Sequence, residues 1–140
     1  MLKNIDPLLS GELLQILDDM GHGDELVIAD RNFPSFSRGI PVVRVTADAA
    51  ATFEAVLSVF PLDTFVERPL ERMGPDDGAT DANDVQERIL AVASRHHGSS
   101  LEFGVIPRMA FYDRADQAFA VVHTLETAPY CDFILTKGVV

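Results

Sequence analysis

The spacing of apolar residues changes from segment to segment along the chain, and that spacing predicts the secondary structure. Leu9, Leu13 and Leu17 recur at helical intervals. Ser10 stands where an N-cap residue would satisfy the first free backbone amides of this helix. We expect Gly21 to end the helix in a left-handed conformation, because a glycine there meets no steric penalty.

The same signals predict the remaining elements. We expect strands at residues 25–29, 42–46, 101–106, 119–125 and 133–136, and helices at residues 49–60, 84–97 and 107–118. The pattern indicates an extended segment at 63–70 and a polar, acidic loop at 74–84. Strands that alternate with helices predict an α/β protein, in three α/β/α layers around a mostly parallel central sheet. We expect a single domain over residues 1–140.

Charge and cysteine content narrow the class of protein. Lys and Arg number 11 against 22 Asp and Glu, a net charge of -11. Such a surface repels phosphate backbones, which argues against nonspecific nucleic-acid binding. No apolar run is long enough to span a membrane. The one cysteine, Cys131, has no partner for an intrachain disulfide, so we expect a reducing, cytoplasmic location.

Familiar cofactor and metal motifs are missing. No glycine-rich phosphate loop follows a strand, and residues 81–84 lack the glycine and closing glutamate of a calcium loop. His96 and His97 are adjacent at the end of a predicted helix, where a favourable dipole interaction is the simpler interpretation than metal ligation. Cys131 has no histidine near it in sequence that would activate a nucleophile. We therefore expect no cofactor and no metal.

Polar groups at the edges of apolar elements are the remaining candidates. His22 stands between two glycines and is free to present its ring, and Asp30 follows a predicted strand. Arg108 and Tyr112 share one face of the last helix. A third group, formed by Tyr130, Cys131 and Asp132, precedes the last strand. Each group also has a purely structural interpretation, respectively as a helix or strand cap, a surface pair and a turn.

Several runs together resemble a known family. These are residues 1–10, Met20-Gly-His-Gly-Asp24, Asp30-Arg-Asn-Phe-Pro34, residues 108–115, and Tyr130-Cys-Asp132 with Lys137-Gly-Val139. They are similar to the ribose pyranase and fucose mutarotase family, RbsD/FucU, over the whole chain. The resemblance implies an RbsD/FucU-like fold, interconversion of sugar anomers or ring forms, and ring-shaped homo-oligomers, commonly decamers of two stacked pentamers.

The resemblance also implies roles for the candidate residues. His22 matches the catalytic acid, and Asp30, Arg108 and residues 130–132 match sugar-binding positions. The pairing of Arg108 with Tyr112 is similar to the fucose branch of the family. Asp132 departs from it, because the family usually has Asn there, and an extra carboxylate can change which hydroxyls are recognised.

The chemistry of ring opening suits His22, since a histidine populates both protonation states near neutral pH. Asp30 would orient it or hold a sugar hydroxyl. The two residues are eight positions apart, roughly 25 Å if fully extended, so the segment folds back or the residues serve different copies of the site. We expect a monosaccharide mutarotase that interconverts the anomers of L-fucose or a related sugar by acid/base ring opening and closing at His22. The alternatives are a D-ribose pyranase and a non-catalytic sugar-binding or transport accessory protein.

Overall fold

The computed structural model describes residues 1–78 and 81–140. Its helices are α1 (Gly11–Asp19), α2 (Ala49–Leu57), α3 (Asp84–His97) and α4 (Arg108–Ala115), with a short 3-10 turn at Ser35–Ser37. Its strands are β1 (Glu25–Ala29), β2 (Val42–Arg44), β3 (Leu70–Gly74), β4 (Gly104–Pro107), β5 (Ala120–His123) and β6 (Phe133–Thr136). No helix in the described ranges has the length and apolar character needed to cross a membrane.

The strands of the described chain form one sheet in the order β2-β5-β1-β6-β3-β4. β1 runs parallel to β5, β5 to β2, and β3 to β4. β6 lies between β1 and β3 and is antiparallel to both. The carboxyl ends of the other five strands therefore meet at one edge of the sheet, together with the amino end of β6. The prediction of a mostly parallel sheet is confirmed.

Helices cover both faces of this sheet, which completes the three layers. On one face α1, α2 and α3 bury Leu13, Phe53 and Ile89 against alternate residues of β1, such as Leu26. On the other face α4 buries Phe111 in a second apolar cluster. Successive strand residues point to opposite faces, so the continuously apolar β1 contributes to both cores.

The end of α1 differs from the prediction. Met20 is the C-cap in an extended conformation, and the glycine with positive φ is Gly23, at 87°. The Gly21 amide instead donates to Asp24 Oδ2 at 2.7 Å. The ammonium of Lys137 donates to the backbone oxygens of Leu17, at 2.6 Å, and Met20. These contacts satisfy the helix terminus without a left-handed glycine.

Several predicted boundaries also move. Residues 63–69 are bends and irregular chain rather than an extended strand, and the strand begins at Leu70. β4 begins later than predicted, at Gly104. The pairing between β3 and β4 starts with Glu71 and Gly104, and residues 101–103 do not pair with β3. β2 and β5 are shorter than predicted, and β6 agrees with its prediction.

The last helix is shorter than predicted because its final turn tightens. The amide of Ala118 bonds to the oxygen of Ala115, three residues back. Pro107 serves as the N-cap of α4 rather than as its first residue, with ψ of 145°. The acidic loop predicted at 74–84 includes residues 79 and 80, which lie outside the described residues.

Candidate active site

A cavity of about 290 Å³ opens at the carboxyl edge of the parallel strands. We call it the carboxylate cavity. Asp30 follows β1, Arg108 begins α4 directly after β4, and Asp132 precedes β6, so the topology of the sheet brings the three together. Its lining residues are Asp30, Asn32, Phe33, Met73, Arg108, Tyr112, Pro129, Tyr130 and Asp132. Five residues predicted as substrate-binding therefore line one cavity.

Two buried carboxylates lie at the base of this cavity. Asp30 is 6% exposed and Asp132 is 4% exposed. The backbone amide of Asp30 donates to Asp132 Oδ1 at 2.8 Å. Burial raises the pKa of Asp132 to about 8, and the nearby charge of Asp30 adds to the effect. Burial also raises the pKa of Asp30, although the amides of Asn32 and Phe33 oppose the rise.

Arg108 and Tyr112 form the opposite wall from α4. Arg108 donates from Nε and Nη2 to Asp76 Oδ2, at 3.0 and 2.7 Å. Hydrogen bonding to Asp76 raises the pKa of Arg108, and its contact with Tyr112 adds to the rise. The guanidinium carbon lies 5.8 Å from the centre of the Tyr112 ring. This wall offers a cation and a phenol hydroxyl to a ligand.

The loop before β6 is held by two side chains at the start of α3, the N-cap Asn83 and Gln86, that sequence reasoning missed. Tyr130 has a φ of 56°, which is strained for a tyrosine. Gln86 Nε2 donates to the backbone oxygen of Tyr130 at 2.7 Å, and Asn83 Nδ2 donates to that of Pro129 at 3.0 Å. Asn83 and Gln86 also form the capping box of α3. Their spacing was the signal in the sequence, but it indicates a helix cap and not a tertiary contact.

The Cys131 side chain faces the core, away from the carboxylate cavity. It is fully buried in the cluster under α1, α2 and α3, with Sγ about 4.0 Å from Asn83 Nδ2. Burial raises the pKa of the thiol to about 12. A sugar in the cavity could meet Cys131 through its backbone only.

His22 lies in a different cavity, of about 510 Å³, which we call the histidine cavity. Its lining residues are Leu14, Leu17, Asp18, Met20, His22, Val59, Pro61, Lys137, Gly138, Val139 and Val140. The His22 side chain is 46% exposed, and Nε2 lies 3.2 Å from Oδ1 of the buried Asp63. The exposed ring of Phe65 lies against it, with centroids 5.4 Å apart.

Asp63 is a third residue of the candidate site that sequence reasoning missed, after Asn83 and Gln86. Its Oδ1 accepts the Phe65 amide at 3.0 Å in addition to the contact with His22. The Phe65 amide lowers the pKa of Asp63, with His22 contributing, so the carboxylate stays charged. The two residues are 41 positions apart in sequence, and no local pattern pairs them. An ionised carboxylate beside an imidazole accepts a hydrogen bond from the ring and so orients it.

The backbone around this pair is closely packed. Gly23 donates its amide to the oxygen of Lys137 at 2.8 Å, which fixes the His22 loop to the chain after β6. A Cβ on Gly138 would approach the Leu62 oxygen to 2.7 Å and the Asp63 Cα to 2.8 Å. Glycine is therefore required at 138 for the Asp63 backbone to lie where it does.

The two cavities share no lining residue and lie at opposite ends of β1. His22 precedes the strand and Asp30 follows it. A strand of five residues spans about 17 Å. Within one chain, the structure brings together Asp30, Arg108, Tyr112, Tyr130 and Asp132, but not His22. Among the described residues no group of three His, Cys, Asp or Glu side chains is placed to hold a metal ion.

An α/β sheet with polar groups converging at the carboxyl edge of its strands defines a protein that binds small polar ligands there. The sequence profile of the RbsD / FucU transport protein family matches residues 3–140. The chain therefore belongs to the RbsD/FucU family, and the resemblance noted in the sequence is confirmed.

Individual relatives cover the chain almost completely. An L-fucose mutarotase of Actinobacillus pleuropneumoniae serotype 5b (strain L20) is 44% identical over 99% of this chain and 97% of its own length. The structure of FucU from Bifidobacterium longum matches with a TM-score of 0.92 and 39% identity, over 99% of each chain. The fucose mutarotase of Streptococcus pneumoniae, solved in complex with L-fucose, matches with a TM-score of 0.90 and 34% identity, also over 99% of each chain.

Proposed function

We propose that this protein is a sugar mutarotase that interconverts the anomers of L-fucose. The observation that carries the proposal is the combination of an exposed, carboxylate-paired His22 with a cavity lined by carboxylates, a guanidinium and phenol hydroxyls. Such groups match the alternating donors and acceptors of a neutral sugar. Relatives named L-fucose mutarotase share 44% of the sequence over nearly the whole chain, and this supports the choice of reaction and sugar.

The proposed reaction is a reversible opening of the hemiacetal. A base removes the proton of the anomeric hydroxyl, the bond between C1 and the ring oxygen breaks, and an acid protonates that oxygen. The open aldehyde rotates, and the ring closes on the other face with the roles reversed. His22 shuttles the proton, because imidazole is both an acid and a base near neutral pH. These reaction steps balance in atoms and electrons without a cofactor or a redox step.

Asp63 keeps the His22 ring in position for this transfer. Its buried carboxylate accepts a hydrogen bond from Nε2 and so fixes the orientation of the ring. Asp63 is a positioning residue in this proposal, since it acts through His22. Asp30, Arg108, Tyr112, Tyr130 and Asp132 bind the sugar hydroxyls, and Cys131 contributes through its backbone.

One complete site would need two subunits, because each chain separates His22 from the carboxylate cavity by the length of β1. We propose that His22 of one subunit approaches the carboxylate cavity of its neighbour within a ring-shaped homo-oligomer, for which we expect a decamer built from pentamers. Exposed apolar side chains lie near both halves: Phe65 is 75% exposed beside His22, and Met109 is 60% exposed in α4. Such exposure is typical of surfaces that become buried on association.

The direct test is NMR saturation transfer between the two anomeric protons of each sugar, with L-fucose, D-ribose, D-galactose and L-rhamnose as the panel. We expect enzyme-dependent exchange, greatest for L-fucose. Greater exchange between the ring forms of D-ribose would assign a ribose pyranase instead. Binding without any exchange would assign a sugar-binding or transport accessory protein. Either result would overturn the proposed function.

The shared site has its own test. We mix inactive His22→Ala and Asp30→Ala subunits after reversible dissociation. If each site takes its histidine from one subunit and its Asp30 from the next, about a quarter of the sites in random mixtures are intact, and activity returns to that fraction of wild type. No recovery in mixed oligomers would place each site within one chain. A cytoplasmic location remains a prediction, and fractionation of the native host would check it.

A further inference from the structure

Two acidic side chains, Asp30 and Asp132, line the carboxylate cavity. Asp30 and Asp132 are almost fully buried, and a backbone amide of one donates to the side chain of the other at 2.8 Å. Two neighbouring carboxylates that are both buried repel each other, so one of them retains a proton more readily. The hydrogen bonds around them indicate which one.

The backbone favours the charge on Asp30. Its Oδ1 accepts two amides, those of Asn32 at 2.8 Å and Phe33 at 2.9 Å. In the described contacts, Asp132 accepts one amide, that of Asp30. Amide donors stabilise a carboxylate over a carboxylic acid, and Asp30 has twice as many. Oδ1 of Asp132 is an acceptor in this contact, which leaves Oδ2 to carry the proton.

The cation that lines the cavity, Arg108, is already paired with another carboxylate. The Nε and Nη2 atoms of Arg108 both donate to Asp76 Oδ2. Burial and the nearby Arg44 lower the pKa of His123, which favours its neutral form. Within residues 1–78 and 81–140, the titratable and charged groups around the two carboxylates include Arg108 and Tyr112 from α4, Tyr130 and Cys131 from the loop before β6, His123 from β5, and Glu126 after it.

We propose that Asp132 works as a neutral carboxylic acid that donates a hydrogen bond to a sugar hydroxyl, while Asp30 remains a carboxylate that accepts one. The inference rests on the proposed function for the identity of the ligand. The pair then donates a hydrogen bond to one sugar hydroxyl and accepts one from another. This makes Asp132 a specificity-determining residue. Above the Asp132 pKa of about 8 the donor is lost and a second charge appears, so affinity for the sugar falls.

The first experiment measures L-fucose dissociation constants by calorimetry on the intact protein from pH 6 to pH 9.5. In wild type we expect the Kd to rise above about pH 8 and to approach about a 10-fold increase per pH unit, as loss of a single proton requires. In Asp132→Asn the amide is a donor at every pH, and we expect a Kd that does not depend on pH in this range. Tyr112→Phe and Tyr130→Phe serve as matched controls, and both should keep the alkaline rise.

The second experiment needs no sugar. Infrared difference spectra of the free protein between pH 6 and pH 9.5 should show loss of a carboxylic-acid carbonyl band in wild type, and that band should be missing in Asp132→Asn. A band that persists in Asp132→Asn, or an alkaline rise in Kd that survives this substitution, overturns the proposal. Thermal unfolding across the same range identifies a variant that does not fold, and the infrared spectrum of wild type then still decides.

The two readouts separate this inference from the proposed function. If the band behaves as expected but no sugar exchanges its anomers, the proton on Asp132 stands and the mutarotase proposal fails. If L-fucose is turned over and wild type shows no acid band at pH 6, the mutarotase proposal stands and this inference is wrong.

Discussion

The carboxylate cavity and the histidine cavity place their acidic groups in opposite electrostatic situations. Asp132 is buried beside another carboxylate, and its pKa is raised to about 8. Asp63 is also buried, but an amide and an imidazole surround its oxygens, and its pKa is lowered. Burial alone therefore does not decide the charge of a carboxylate. The donors that face it decide whether it serves as an acid or as a fixed anion.

The two regions should accordingly respond to pH in opposite ways. Asp132 has a raised pKa, so its stabilising contribution is complete below its unfolded pKa near 3.8 and is lost as pH rises toward about 8. Asp63 has a lowered pKa, so its contribution is present above 3.8 and is lost as pH falls through its folded pKa. If the proposed function is right, with binding in the first region and proton transfer in the second, activity is limited at high pH by the first region and at low pH by the second.

The largest effect is expected from His22→Gln. Glutamine keeps a polar side chain in the histidine cavity but cannot shuttle a proton, so kcat for L-fucose exchange should fall by roughly 10²–10⁴-fold. The dissociation constant should change little, because the residues of the carboxylate cavity are intact. Saturation transfer measures the first quantity and calorimetry the second.

The matched control for this substitution is His97→Gln, at the end of α3 and outside both cavities. It should exchange anomers at the wild-type rate. Loss of affinity in His22→Gln with kcat preserved would reverse the roles that we assign to the two regions.

A smaller effect is expected from Asp63→Asn. The amide oxygen can still accept from Phe65 and from His22, but the charge beside the imidazole is gone. We expect kcat to fall by about 10-fold, less than for His22 itself, with KM unchanged. Asp19→Asn, an exposed site at the end of α1, removes the same charge and is the control. A change in KM without one in kcat would show that Asp63 supports binding and does not position His22.

The helix caps could be predicted from the sequence, but the pairing of residues in the carboxylate cavity could not. Ser10, Asp48 and Asn83 cap α1, α2 and α3, and Gly98 ends α3 with a φ of 82°. Caps are local, since the side chain bonds an amide two or three residues on, so the pattern contains all the information. Asp30 and Asp132 are 102 positions apart, and only the antiparallel placement of β6 beside β1 joins them.

The failure at residues 63–70 has a different cause. Phe65 and Val66 look like strand residues but are 75% and 43% exposed, whereas the true strand contains Glu71 and the buried Arg72. A pattern based on hydropathy assumes that apolar side chains are buried within their own chain. Phe65 and Val66 break that assumption because they are exposed, and Asp63 in the same segment was missed with them.

A moderate effect is expected from Gln86→Ala, which tests how firmly the carboxylate cavity depends on α3. The substitution leaves the backbone oxygen of Tyr130 without the Gln86 donor and removes half of the capping box. We expect a loss of about 1–3 kcal/mol in the free energy of unfolding, together with a higher KM for L-fucose as the Tyr130 loop relaxes. Arg88→Ala, exposed on the same helix, should change neither quantity. An unchanged KM would mean that the loop keeps its conformation without α3.

The smallest effect of bound sugar is expected at Cys131, which adjoins Asp132 but belongs to the core. Its thiol is fully buried and its pKa is raised to about 12, so almost no thiolate is present at pH 8. An aromatic disulfide reagent should label it at least about 100-fold more slowly than an exposed thiol introduced by Ser99→Cys, whose thiolate is accessible. Saturating L-fucose should leave the slow rate unchanged. Rapid labelling that the sugar prevents would place the thiol inside the carboxylate cavity, and the division between cavity and core at this loop would have to be redrawn.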